Sequence, residues 1–248
     1  MPEKVDFPIV GIGASSGGLA AFGEFFSGLP VDVSPGVAFI LVQHLSPDHE
    51  SSLVELLQRH TQLPVSEVTD GVAVSRDSVY IIPPDKDMAL SEGRLRLVEP
   101  EAPRGQRLPV DFLLRSLAKE KGERAIAVIL SGNGNDGTRG ACLIKSLGGL
   151  VIAQKPDSTN YSAMPQNVID SGAVDLQMLP AEMPARILEL ASSFRSRESS
   201  VREPLNRESF EPLMELLRNE TGHDFSQYKL NTFLRRVRRR QVVHGLES

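Results

Sequence analysis

A single cysteine, Cys142, in 248 residues excludes an internal disulfide framework. It follows Gly137 in a helical pattern, where a small buried hydrophobe is expected rather than a reactive thiol. No apolar stretch approaches the roughly 18 residues of a membrane-spanning helix, and no charged-then-apolar leader opens the chain, so a cytoplasmic protein with no membrane insertion is expected. Gly-Lys-Ser and Gly-Lys-Thr are both missing, which removes a nucleotide-phosphate loop. Histidine is sparse too. His44 and His49 find no cysteine or third histidine at metal-ligand spacing, His49 and His60 flank a surface-patterned helix, and His223 and His244 fall in the C-terminal tail.

What the chain does have is enough apolar residues, 40%, to bury a substantial core. Its charge is divided unevenly. Residues 1–194 carry 24 acidic against 16 basic side chains, whereas residues 195–248 carry 8 against 11. An acidic main body argues against nucleic-acid binding there.

Apolar runs at residues 37–42, 79–82, 125–130 and 151–153 alternate with amphipathic patterns at 52–59, 110–121 and 138–147. That alternation predicts an α/β fold: three layers built on a mainly parallel, doubly wound sheet. Residues 87–99 depart from it, with Met88-Ala89-Leu90, then Glu92-Gly93, then Leu95 and Leu97, the pattern of an added antiparallel hairpin. A last helix is expected over 181–194, closing a first domain of residues 1–194. Residues 195–206, rich in Ser, Arg and Glu and containing Pro204, read as a linker. Beyond it, Phe210, Leu213, Met214 and Leu217 recur at helical spacing until Thr221-Gly222, and a second helix is expected over 227–243. Residues 207–248 are therefore a short all-α segment, too small for an independent core.

The most informative segment is Gly13-Ala14-Ser15-Ser16-Gly17-Gly18, directly after the apolar run at residues 7–12. A strand running into a glycine turn with a hydroxyl at its tip has the layout of a nucleophile elbow. The helix expected over 19–29 would aim free N–H groups at the same point, where an oxyanion could develop. Gly11, Gly13 and Gly17 also loosely match a dinucleotide fingerprint. That reading requires an acid at the end of the second strand, and Gln43-His44 stands there instead.

Ligands of open parallel sheets gather beyond the C-terminal strand ends, so His44 and the loop after residue 130 should share a rim with Ser15. A neutral imidazole is the usual base for a serine. Asp136, in Ser131-Gly132-Asn133-Gly134-Asn135-Asp136-Gly137, could orient that imidazole, or it could cap the helix beginning at Thr138. The order Ser, His, Asp differs from that of the α/β-hydrolases.

These segments resemble the three signature stretches of CheB-type chemotaxis-receptor glutamate methylesterases. The likeness extends through Tyr80-Ile81-Ile82-Pro83-Pro84, Pro109-Val110-Asp111-Phe112-Leu113, Ile152-Ala153-Gln154 and Ala163-Met164-Pro165, covering about residues 7–190. It implies hydrolysis of γ-glutamyl methyl esters on receptor helices, with release of methanol, and deamidation of glutamines. The family's serine, histidine and aspartate fall on Ser15, His44 and Asp136, and its oxyanion pocket on Ser16, Gly17, Asn133 and Gly134; no cofactor or metal is implied. Two departures stand out. Asn133 occupies a position where the family usually has methionine, and only six residues precede the first strand, so an attached receiver domain is not expected. A weakly active scaffold that binds a receptor partner is the alternative.

The tail, through Phe210, Leu213, Leu216, Thr221-Gly222 and Tyr228-Lys229, resembles the N-terminal helical domain of CheR-type receptor methyltransferases. Together the two likenesses suggest the front of a methylesterase–methyltransferase fusion. S-adenosylmethionine would enter only with a catalytic domain beyond residue 248. Arg235, Arg236, Arg238, Arg239 and Arg240, with Lys229, make the expected second helix strongly basic. Such a run favours an anionic partner, and glutamate-rich receptor helices fit it better than nucleic acid, since aromatics for base stacking are scarce.

Overall fold

The computed structural model describes residues 6–30, 34–43, 52–103, 105–198, 211–223, 237, 240 and 241. Contacts divide the chain into two compact units, 1–191 and 192–248. The first is a three-layer α/β domain. Its elements run β1 (Ile9–Ala14), α1 (Gly18–Ser27), β2 (Ala38–Gln43), α2 (Ser52–Gln58), β3 (Val65–Glu67), β4 (Val79–Ile81), β5 (Asp87–Ser91), β6 (Arg94–Val98) and α3 (Pro109–Lys121). They continue with β7 (Ala125–Ile129), α4 (Thr138–Ser146), β8 (Leu150–Gln154), α5 (Ala163–Asp170), β9 (Leu176–Met178) and α6 (Met183–Glu198).

Seven strands form a parallel sheet in the order β3-β4-β2-β1-β7-β8-β9. Its central strands β1, β7 and β8 are buried at every residue, as expected of strands covered by helices on both faces. Alternate residues serve opposite layers. Ile9, Ile40, Ala127 and Ile129 join Val110, Leu113, Leu114 and Leu117 of α3 in one cluster. On the other face Phe39 meets Phe25 and Phe26 of α1 edge to face, with ring centroids 5.9 and 5.6 Å apart.

Two glycines of β1 set how closely α3 lies on the sheet. A Cβ on Gly11 would come 2.8 Å from Leu114 Cδ2, and one on Gly13 only 2.3 Å from Val110 Cγ1. The Gly-x-Gly of the first strand is thus explained by helix packing, without a dinucleotide.

The hairpin is present as β5–β6, with Glu92 and Gly93 at φ 53° and 72°. Both central residues at positive φ are the mark of a type I′ turn, whose twist matches that of the strands. Several boundaries differ from the sequence expectation. The edge strands β3 and β9 and helix α5 carry no apolar run of their own. Helix α6 continues to Glu198, four residues into the expected linker, where neither Gly nor Pro intervenes to stop it. Cys142 is exposed on α4, contrary to expectation, because Gly140, Ala141 and Ile144 turn the buried face of that helix away from it.

In the second unit, α7 (Glu211–Thr221) has no buried residue. It ends where Gly222, at φ 72°, donates its N–H to Arg218 O at 2.9 Å. Of the expected second helix, only Val237, Arg240 and Gln241 are described, and they are helical; Arg235, Arg236, Arg238 and Arg239 lie outside the described residues. Arg240 is exposed.

Candidate active site

The chain leaves β1 toward β2 on one side and leaves β7 toward β8 on the other. Adjacent β1 and β7 therefore mark the reversal of strand order, where the two departing loops leave a crevice beyond the strand ends. Ser15-Ser16-Gly17 follows β1 and loop 131–137 follows β7. The two are tied together by the Ser15 N–H, which donates to Ser131 O at 2.9 Å.

Close approach shapes the elbow. Gly17 is left-handed, at φ 74° and ψ 0°, and a Cβ there would fall 2.6 Å from Ser131 Oγ and 2.9 Å from the Tyr161 ring. A Cβ on Gly132 would meet Met164 Sδ at 2.2 Å and Ser15 Cβ at 2.9 Å. Both positions need glycine for space, and Gly17 needs it for conformation as well. Ser15 is left half-buried at the turn. The N–H groups of Ser16, Gly17, Asn133 and Gly134 take no partner among the described residues. They belong to the two loops that meet at Ser15, and N–H groups of this kind are suited to an oxyanion.

A hydrogen-bond network fixes the second loop from below. Ser131 donates its N–H to Gln154 Oε1 at 2.8 Å and its hydroxyl to Ser16 O at 2.8 Å, and it meets Thr159 Oγ1 at 2.7 Å. Gly132 N–H donates to Tyr161 O at 2.8 Å, and Met164 N–H donates back to Gly132 O at 2.9 Å. On the rim, Asn133 Nδ2 donates to Ser16 Oγ at 3.2 Å and Asn167 Nδ2 to Gly134 O at 2.8 Å. Ser131, Gln154, Thr159, Tyr161 and Asn167 are additions to the residues singled out from sequence. Ser131 and Gln154 fall in stretches that carry the family likeness, whereas Thr159, Tyr161 and Asn167 lie outside all of them and reach the site only through the fold.

Asp136 closes the same loop and is 2% exposed. It does not cap α4, whose N-cap is Gly137 with no side-chain cap. Its carboxylate instead caps α3, accepting the N–H of Val110 at 2.9 Å and of Asp111 at 2.8 Å. Asp111 is 5% exposed and accepts the Gly140 N–H at 2.7 Å. Burial pushes the Asp111 carboxyl above its ordinary value; the Gly140 N–H opposes this, and the neighbouring Asp136 charge adds to it.

His44 and His49 lie outside the described residues; β2 is described as far as Gln43, which pairs with Ala14 at the end of β1. Gln43 Oε1 is buried without a partner among the described residues, close beside the elbow, where Gln43 Nε2 would touch a Cβ on Gly18 at 3.4 Å. His60 is held away from the site, its Nδ1 2.9 Å from Ser27 Oγ of α1. Among the described residues no cluster of three or more His, Cys, Asp or Glu could hold a metal ion, and no helix is long and apolar enough to cross a membrane.

Comparison with known proteins agrees with this architecture. Residues 10–187 match the family model of the CheB methylesterase, and residues 208–248 that of the all-alpha domain of the CheR methyltransferase. The protein-glutamate methylesterase/protein-glutamine glutaminase of Escherichia coli K12 is 34% identical over 187 residues, 72% of this chain and 53% of the relative. An uncharacterised 104.1 kDa protein of Rhodobacter capsulatus is 42% identical over 123 residues, 50% of this chain and 13% of its own length. The chain thus spans about half, or much less, of the curated relatives it matches. The crystal structure of the Thermotoga maritima CheB methylesterase catalytic domain superposes with a TM-score of 0.68 at 32% identity, covering 75% of this chain and 99% of that one. With a matching family model over residues 10–187 and a solved relative at 32% identity superposing on most of the chain, the chain belongs to the CheB methylesterase family.

Proposed function

We propose that residues 10–187 hydrolyse γ-glutamyl methyl esters on chemoreceptor helices, and the side-chain amide of receptor glutamines, through Ser15, His44 and Asp136. The observation that carries this reading is the half-buried Ser15 on a glycine elbow at the sheet reversal, where two loops meet whose N–H groups at Ser16, Gly17, Asn133 and Gly134 take no partner among the described residues. Ser15 Oγ attacks the ester carbonyl as His44 takes its proton. The oxyanion is met by N–H groups from Ser16, Gly17, Asn133 and Gly134. Collapse of the intermediate breaks the bond to methoxide, which leaves as methanol with the proton from His44 (ammonia in the case of glutamine). Water, deprotonated by the same imidazole, then releases glutamate and restores Ser15. Asp136 holds His44 in the productive tautomer and stabilises its cation. No cofactor or metal enters any step.

The setting we infer is cytoplasmic, with methylated receptor helices as partner. The arginines at 235, 236, 238, 239 and 240 would draw the chain to glutamate-rich receptor segments, and S-adenosylmethionine would be used only by a methyltransferase domain following residue 248. The experiment is methanol release from methylated receptor by the wild type and by Ser15→Ala. Release only by the wild type supports the reading. Equal release overturns it, and no release by either protein favours a binding scaffold.

A further inference from the structure

We propose that Asp111 is the positioning residue for Asp136, aiming the triad acid through a pair of crossed helix caps. The inference rests on the reading of Asp136 as the acid that orients His44.

Neither α3 nor α4 brings its own cap. Leu108 and Gly137 stand at their N-cap positions, with no side-chain hydrogen bond from either. The first N–H groups of a helix need acceptors, and buried ones need them most. Here each helix takes its acceptor from the neighbourhood of the other. Asp136, just before α4, accepts from Val110 and Asp111 in the first turn of α3. Asp111 in that turn sends its carboxylate across to the Gly140 N–H in the first turn of α4. One residue therefore grips both sides: its N–H holds the Asp136 carboxylate, and its own carboxylate holds the helix that follows Asp136.

The two helices are close enough for this geometry to be stiff. A Cβ on Gly140 would come 2.5 Å from Leu114 Cβ and 3.3 Å from Asp111 O, so the α4 backbone lies directly on α3. Residues 133–135 of the intervening loop are exposed, and hydrogen bonds tie them to Ser16, Asn167 and Thr138. Both carboxylates are buried side by side, with Arg139 as the opposing charge nearby. An arrangement that costs carboxylate repulsion and desolvation calls for a compensating role, and fixing the direction of Asp136 supplies one. A small tilt of α3 against α4 would swing both of its donors together.

The test uses the full chain, a small activated ester such as p-nitrophenyl acetate, and turnover per Ser15 site. Sites are counted by complete reaction with a fluorophosphonate probe, so unfolded protein does not enter the rate. Misplacement of a catalytic group by an ångström can cost about 100-fold, so Asp111→Ala is expected to lower kcat per site about 10–100-fold with KM unchanged. Asp111→Asn keeps an acceptor for the Gly140 N–H and is expected to recover to within about threefold of the wild type, which a purely electrostatic role would not allow. If Asp111→Ala does not fold, Asp111→Glu replaces it: the acid is retained but pushed one methylene too far, and a loss of about tenfold is expected. The inference is overturned if Asp111→Ala or Asp111→Glu turns over like the wild type per site, or if Asp111→Asn is as slow as Asp111→Ala. Asp136→Asn separates the two levels. Full turnover by that variant removes the reading of Asp136 itself, whereas a slow Asp136→Asn beside fast Asp111 variants removes the Asp111 inference alone.

Discussion

Ser15 and Ser16 are adjacent hydroxyls with different surroundings. Ser16 Oγ is already engaged by Asn133 Nδ2, and Ser15 has its N–H anchored on the neighbouring loop. Ser15→Ala is expected to reduce ester hydrolysis by about 10⁴-fold or more while the thermal transition stays in place, and Ser16→Ala to be much milder. A dead Ser16→Ala beside an active Ser15→Ala would reverse the assignment. Asp111 offers a second test at this scale. A carboxyl whose folded-state pKa lies above its ordinary value of 3.8 favours folding most at low pH. That contribution is lost as pH rises through the raised value, because the folded state then has to bury a charge. Asp111→Asn removes the loss. Urea denaturation should show the variant more stable than the wild type at pH 7, with the gain shrinking toward pH 4; an unchanged gain at both values would rule out burial of the Asp111 charge as its source.

The helices matter as elements because the site is assembled from their ends. Helix α3 lies on β1 only because Gly11 and Gly13 leave room for Leu114 and Val110. A methyl group at Gly13 would have to displace Val110, whose N–H is one of the two donors to Asp136. Overpacking of this kind typically costs about 1–3 kcal/mol. Gly13→Ala is therefore expected to lower stability by about that amount in urea denaturation, and to lower kcat as well. Adding Val110→Ala should restore part of both, as a double-mutant cycle would read out. If the double variant were no better than the sum of its parts, the contact between β1 and α3 would not be what couples stability to the site.

Across the molecule, the two compact units differ in charge and in the way they are built. The first carries the sheet and its buried core, whereas α7 of the second buries none of its residues. A fragment ending near residue 195 is expected to fold and to cleave small activated esters as well as the full chain does. Against glutamate-rich receptor fragments it should bind more weakly than the full chain. That difference should fade with added salt, since exposed charges beyond a Debye length of about 8 Å are largely screened at physiological ionic strength. Equal binding by both proteins at low salt would show the arginine run to be a solvated face. A chelator should leave hydrolysis unchanged, and loss of activity restored by zinc would contradict the triad.

The layered fold, the hairpin and the elbow were legible in the chain because each is written locally. Apolar runs mark strands buried on both faces, Glu92-Gly93 marks a tight turn, and Gly13 to Gly18 marks a strand entering a helix through a hydroxyl. The edge strands β3 and β9 escaped notice for the same reason, being short and half-wet. Residue identity also determined that Ser15 and Asp136 follow strands, and hence share one rim of the sheet. Only the tertiary structure decided what Asp136 holds. From sequence its nearest helix is α4, and local capping would pair it there; in space α3 presents two unsatisfied N–H groups to it, and Asp111 answers for α4 in exchange. A helix end accepts any carboxylate that reaches it, so the pairing is set by which helix ends the sheet brings side by side, at a separation of 25 or more residues along the chain.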